Sequence, residues 1–198
     1  VLCVEFIGVW GSGKTTIVRK VTNNLKENNV IALSYDDFVS QTRFQRYSKV
    51  LLLVLTNPIT VIKFISTLIK IFFELYPFKK FQSEIFYTLI KTSFAKYILL
   101  KNKPEVILWE GDYHLLTMFK EMKKISIKDM LLLSGKNHVH SSLPVFINID
   151  ISLAKIRVLK DQNLGVFRFS NDDIKMLDTR YKYMVQNQKY LNQIFNKE

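Results

Sequence analysis

The sequence predicts a three-layer α/β/α domain, with helices on both faces of a central parallel sheet and a helical insertion between the second and third strands. Two observations predict it. Four short runs are near-continuously apolar, as strands buried on both faces of a parallel sheet are, and helix-length segments separate them. A glycine-rich turn joins the first run directly to a segment of helical periodicity, which gives a strand-turn-helix opening. With 198 residues, 48% of them hydrophobic, the chain has material for one core, and a single domain over residues 1–198 is expected.

Residues 2–7 form the first strand, ended by Gly8. From Gly13 onward Ile17, Val18, Val21 and Leu25 recur at helical spacing with Lys20, Asn24 and Glu27 opposite, so a helix follows and fades near Asn28 and Asn29. The second strand, 30–33, ends at Ser34-Tyr35-Asp36-Asp37; the third, 106–109, at Glu110-Gly111-Asp112; the fourth, 145–149, at Asp150. The insertion, residues 42–103, is helical almost throughout. Asn57-Pro58 supplies an N-cap with proline at the first helical position, and Pro77 stops the helix begun there. Over residues 58–75 that helix is about 27 Å long, near the thickness of a bilayer core. Lys63, Ser66, Thr67, Lys70 and Glu74 fall on one face, so packing against its own domain is expected, with a peripheral membrane contact as the alternative. A further helix covers 83–100. After Asp150, residues 152–159 are helical, 162–173 form a polar connection, and a last helix runs over 171–195; no fifth strand is apparent.

Composition removes several function classes. The net charge of +12, from 29 basic and 17 acidic residues, raises the question of an anionic partner. Only six of the basic residues are arginine, and the lysines are scattered without an aromatic-interleaved stripe, so nucleic acid is not expected as a partner. The lone Cys3, inside an apolar run, builds neither a disulfide framework nor a cysteine zinc site, and a reducing, cytoplasmic setting is expected. His138 and His140 alternate in a loop-like segment without a matching carboxylate and are not read as metal ligands. The chain opens on Val1 within strand-like sequence and shows no signal peptide, so a residue or more is expected ahead of it.

Chemistry concentrates in Gly8-Val9-Trp10-Gly11-Ser12-Gly13-Lys14-Thr15, two glycines five apart followed by Lys and Thr. Glycines let the backbone turn tightly and bring N–H groups against phosphate oxygens. Lys14 offers a point charge to the β- and γ-phosphates, Thr15 a hydroxyl to Mg2+, and the helix starting there points its positive end at the anion. The nucleotide-holding set is Gly8, Gly11, Ser12, Gly13, Lys14, Thr15 and Thr16, with ATP and Mg2+ as the expected cofactors. The guanine-reading Asn-Lys-x-Asp element is absent from the sequence, as is Asp-x-x-Gly after the third strand, which argues against a GTPase.

Parallel sheets bind ligands at the carboxyl ends of their strands, where Asp36, Asp37, Glu110, Asp112 and Asp150 lie. A carboxylate there holds magnesium or accepts a proton from an attacking hydroxyl. For Asp36 and Glu110 the functional role is expected, with Thr15 and Glu110 as the metal-holding pair; for Asp150, which leads straight into a helix, a cap is expected. His114 lies within reach of an acceptor pocket, although a structural role is its default, and Arg43 and Arg46 are expected in solvent.

This ordering of loop, acidic second strand end, helical insertion, acidic third strand end and basic closing segment resembles the P-loop nucleoside and nucleotide kinases, with thymidylate kinase the nearest whole-chain pattern. Asp150-Ile151-Ser152 with Arg157 resembles the segment that enters the lid of that family, and Asp178-Thr179-Arg180-Tyr181 the helix that leaves it. Thymidylate kinases usually follow the third-strand acid with Arg, whereas Glu110 is followed by Gly111. Ser34-Tyr35-Asp36-Asp37-Phe38 is more similar to the uridine, nicotinamide riboside and glycerate kinases, whose Asp acts toward an acceptor hydroxyl. The resemblance implies an acceptor pocket roofed by the insertion, a lid over about 157–180, Asp36 as base, and Arg157 and Arg168 as lid charges. The expected activity is transfer of the γ-phosphate of ATP to a hydroxyl or phosphate of a small acceptor, with Lys14, Asp36, Glu110, Arg157 and Arg168 carrying it. The alternatives are action on a lipid-linked or capsule-type acceptor at a membrane surface, and a regulatory ATPase that is not a kinase.

Overall fold

The computed structural model describes residues 1–74, 80–119, 122–126, 128–129, 142–163 and 176–196. Four strands form one wholly parallel sheet: β1 (Leu2–Ile7), β2 (Ala32–Ser34), β3 (Val106–Trp109) and β4 (Ser142–Phe146), in the order β2-β3-β1-β4. The predicted α/β class, central parallel sheet included, is the observed one.

Alternation along β1 sets the layers, because successive side chains leave a strand on opposite faces. Val4 and Phe6 face α1 (Lys14–Glu27) and pack with Val18, Leu108 and Val145. Cys3 and Ile7 face the other way, with Ile107, Trp109 and the larger core made by α5 (Lys80–Leu100), α6 (Asp112–Leu116) and α8 (Leu177–Phe195). Glu5 shares this second face and is fully buried. The short helix α2 (Tyr35–Val39) follows β2, and α7 (Ile151–Asn163) follows β4.

Strand boundaries differ from expectation for local reasons. Val30 belongs to the exit turn of α1, its N–H donating to the Leu25 carbonyl, so β2 starts at Ala32. β4 begins three residues earlier than the apolar run and includes Pro144, which an edge strand accommodates because one side of its backbone needs no partner. Ile147 still donates to the Ile7 carbonyl, so pairing continues a residue past the formal strand.

The insertion folds as α3 (Arg43–Thr56), α4 (Pro58–Glu74) and α5. Thr42 and Gln45 form a reciprocal capping box at the start of α3, and Asn57-Pro58 separates α3 from α4 as the sequence predicts. On α4, Val61, Phe64, Leu68 and Ile71 are buried at helical spacing, and Phe64 meets Phe94 and Tyr97 of α5 edge-on, at centroid distances of 5.2 and 5.3 Å. The helix therefore packs on its own domain along a narrow stripe. Beside that stripe Ile59, Ile62, Ile69 and Phe73 of α4 are exposed, and Leu51, Leu52 and Leu55 of α3 are exposed apolar residues too. No single helix among the described residues is long and apolar enough to cross a membrane; α3 and α4 meet that measure only as a pair bent by 105°.

Candidate functional site

The site is built where β1, β3 and β2 end. Gly11 and Gly13 take positive φ (73° and 85°), the left-handed region that only glycine enters freely, and this bends the chain from β1 into the first turn of α1. At Gly11 a second constraint applies, since a Cβ there would lie 2.3 Å from the Ala154 carbonyl oxygen of α7. Neighbouring elements hold the loop from outside: Tyr181 of α8 donates its hydroxyl to the Trp10 carbonyl at 2.9 Å, and Arg157 of α7 reaches the Gly11 carbonyl at 3.4 Å.

Lys14 lies within this curl. Its ammonium donates to the carbonyls of Gly8 (3.0 Å) and Val9 (2.8 Å), and burial pulls its pKa down to about 8 against the opposing pull of Glu110. Thr15, one residue on, donates its hydroxyl to Glu110 Oε1 at 2.7 Å across a separation of 95 residues. Burial raises the Glu110 carboxyl above its ordinary range, and the Thr15 hydrogen bond and the Lys14 charge pull it back in part.

One turn further along α1, Arg19 grips Asp36 with Nε at 2.6 Å and Nη2 at 3.4 Å. Thr15 and Arg19 are four residues apart on one helix face, so Glu110, just after β3, and Asp36, at the start of α2, are held one turn apart along α1. Asp37, by contrast, is a cap: it accepts from the Ser34 backbone N–H at 2.7 Å and pairs with Lys26 at 2.6 Å. Burial would raise its carboxyl, but those partners outweigh it and leave it below the usual range. Asp150 likewise caps α7, accepting from the N–H groups of Ser152 (2.8 Å) and Leu153 (3.2 Å).

His114, on α6, is buried against the loop. Desolvation and then the Lys14 charge push its pKa well below the ordinary value, opposed by a hydrogen bond to the Gly8 backbone, so the ring is neutral. Arg43 is exposed as expected, while Arg46 lies 5.8 Å over the Phe38 ring. Arg168, His138 and His140 fall outside the described residues, as does the middle of the lid segment expected over 157–180.

The donor set fits magnesium. Among the described residues no group of three His, Cys, Asp or Glu gathers at one point. Magnesium is usually held by one or two protein oxygens together with phosphate oxygens and water, and the Thr15 hydroxyl and Glu110 carboxylate are such a pair.

A P-loop between β1 and α1, met by an acidic residue from the adjacent strand, defines a nucleotide site, and the KAP family P-loop domain matches residues 2–143. The chain belongs to the KAP family of P-loop domains. No curated protein matches it. As a KAP domain it is of the P-loop nucleoside-triphosphatase class. The KAP domain also has a cleft of about 320 Å3 on the β4 side, lined by Val9, Phe146, Ile149, Val185 and Gln188, with no residue of the insertion in its wall among the described residues.

Sequence reasoning missed three residues beside the site. Glu5, Ser93 and Lys96 form a buried polar cluster with Asp112, which stands two residues after Glu110 and alone of the four stood out in the sequence, as a strand-end acid. The available signal was Ser93 and Lys96, polar residues at helical spacing among the Phe, Ala, Tyr, Ile and Leu residues of the C-terminal half of α5.

Proposed function

We propose that this KAP domain is a magnesium-dependent nucleoside triphosphatase that takes ATP and transfers its γ-phosphoryl group to water. The observation that carries the reading is the Thr15–Glu110 contact at 2.7 Å, with Lys14 buried in the loop beside it. Phosphoryl transfer needs in-line placement and neutralisation of charge on the equatorial oxygens more than covalent help. The loop amides and Lys14 bind the phosphates, Arg157 at the Gly11 carbonyl is within a side chain's swing of the same place, and Thr15 with Glu110 hold the metal. Magnesium held by Thr15 and Glu110 would supply Lewis-acid stabilisation of the charge that develops on the transferring phosphoryl group. In the transfer, the bond from the γ-phosphorus to the bridging oxygen breaks as the water oxygen bonds to phosphorus and a water proton passes to solvent, giving the diphosphate and inorganic phosphate.

A second reading, transfer to a small acceptor as in a kinase, is supported by Asp36. Its carboxylate is half exposed, lies near Glu110 along α1, and is held by a still more exposed Arg19. The exposed apolar residues of α3 and α4 give a membrane-surface acceptor its only support. Release of inorganic phosphate from labelled ATP, measured with and without a metabolite pool, separates the two. The triphosphatase reading expects magnesium-dependent phosphate release that the pool leaves unchanged and Lys14→Ala abolishes. Label appearing on an organic acceptor at the expense of inorganic phosphate would instead establish the kinase.

A further inference from the structure

Three polar side chains on α5 are turned inward. Thr92, Ser93 and Lys96 are 5%, 0% and 1% exposed, and all of them meet the turn that carries Glu110. Ser93 Oγ donates to Asp112 Oδ1 at 2.8 Å, and Lys96 Nζ to Asp112 Oδ2 at 2.9 Å. Thr92 lies so near Gly111 that a Cβ there would come within 3.3 Å of the threonine Cβ and 2.6 Å of Trp109 Nε1. Glu5, central in β1, completes the cluster: its Oε2 is 3.6 Å from Lys96 Nζ, and its Oε1 accepts from the Tyr113 N–H.

An ammonium and two carboxyl groups buried together are a poor source of stability, since apolar side chains of equal volume do as well or better. What they supply is one defined geometry. Glu110 is held by β3 on its N-terminal side. On its C-terminal side stands Gly111, whose backbone is the least restrained of any residue, and then Asp112. The turn around Glu110 is thus held at one end by β3 and at the other by Asp112, whose anchors are Lys96 and Ser93. We propose that Lys96, with Ser93, is a positioning residue that clamps the Glu110-Gly111-Asp112 turn onto α5 and so holds Glu110 at Thr15 in the arrangement that takes magnesium. This rests on the triphosphatase reading of the same site. It also makes the insertion part of that site, because Phe94 and Tyr97, which flank Lys96 on α5, are the residues against which α4 packs Phe64.

The test is the magnesium concentration that half-maximally enhances binding of a fluorescent, non-hydrolysable ATP analogue, together with the affinity for that analogue in EDTA. Groups that orient a metal-holding residue typically change metal affinity by about 10–100-fold when removed. Lys96→Met and Asp112→Asn are expected to raise the magnesium midpoint about tenfold or more while affinity in EDTA stays within about twofold, and Ser93→Ala to raise it by a smaller factor. Should Lys96→Met fail to fold, Asp112→Asn and Ser93→Ala carry the test. An unchanged midpoint in the folded variants overturns the proposal. So does an equal loss of affinity with and without magnesium, which is what mere loosening of the fold produces. Absence of magnesium-enhanced binding in the unmodified chain overturns the triphosphatase reading itself, a result separable from either of these.

Discussion

Lys14 allows a pH experiment whose size follows from its surroundings. The side chain is 6% exposed and donates to two loop carbonyls, and burial is the main reason its pKa falls from 10.5 to about 8. Charging it there is harder by about 3 kcal/mol than in water. Between pH 8 and 10.5 the unfolded chain binds the proton that the folded chain has lost, so this group makes stability rise with pH across that window. Below pH 8 the whole penalty is present. Lys14→Met is accordingly expected to stabilise the ligand-free chain at neutral pH by up to about 3 kcal/mol, the gain shrinking toward pH 10. Triphosphate binding has the opposite sign. The anion supplies the missing counter-charge, lifts the pKa again and takes up a proton wherever Lys14 was neutral. Affinity for a non-hydrolysable ATP analogue is then level below pH 8 and falls above it, becoming about twentyfold weaker at pH 9.5 than at pH 7.5. Calorimetric titration at constant ionic strength, in buffers of different ionisation enthalpy, reads both the affinity and the proton uptake. Affinity constant within twofold over that range, with no proton taken up at pH 9, would refute the placement of Lys14 in a desolvated curl.

Two further outcomes follow from the loop and from β2. Gly11→Ala places a Cβ 2.3 Å from the Ala154 carbonyl oxygen at a φ of 73°; left-handed strain alone costs about 1–2 kcal/mol, and α7 must also move. Denaturant unfolding should show a loss of at least about 2 kcal/mol, and a loss below about 0.5 kcal/mol would contradict the close packing of α7 on the loop. Asp36→Asn should leave phosphate release within about fivefold, whereas a fall of about 10²–10⁴-fold in label transferred to an organic acceptor from a metabolite pool would mark Asp36 as the base toward that acceptor and favour the kinase reading.

The legible parts of the molecule are those whose chemistry is local in sequence. The phosphate loop could be read because each residue of Gly8 to Thr15 has its role within one turn of chain, and Glu110 because a carboxylate after an apolar strand is conspicuous. The cap at Asp150 and the break at Asn57-Pro58 were legible for the same reason. The polar cluster was not. Glu5 sits in a run of apolar residues and pairs with Lys96, 91 positions away, and neither side chain reveals its partner until β1, β3 and α5 are brought together. On α5 the polar residues that face the core are outnumbered by apolar ones on every side, so no amphipathic stripe marks which face is inside. α4 misled in the other direction: its buried stripe was predictable, but the exposure of Ile59, Ile62, Ile69 and Phe73 depends on where α3 and α5 leave room. Strand order, with β1 between β3 and β4, is likewise a property of the assembled sheet.

The central claim is that the backbone from Gly8 to Thr15, with Glu110 set against Thr15, holds a magnesium-triphosphate. Calorimetric titration of the folded chain with an ATP analogue, in magnesium and then in EDTA, tests it most directly when repeated with Glu110→Gln. The account predicts one site per chain, bound at least about tenfold more tightly with magnesium, and loss of that enhancement in the variant while binding in EDTA persists. Equal enhancement in the variant, or no binding by the folded wild-type chain in either condition, would contradict it.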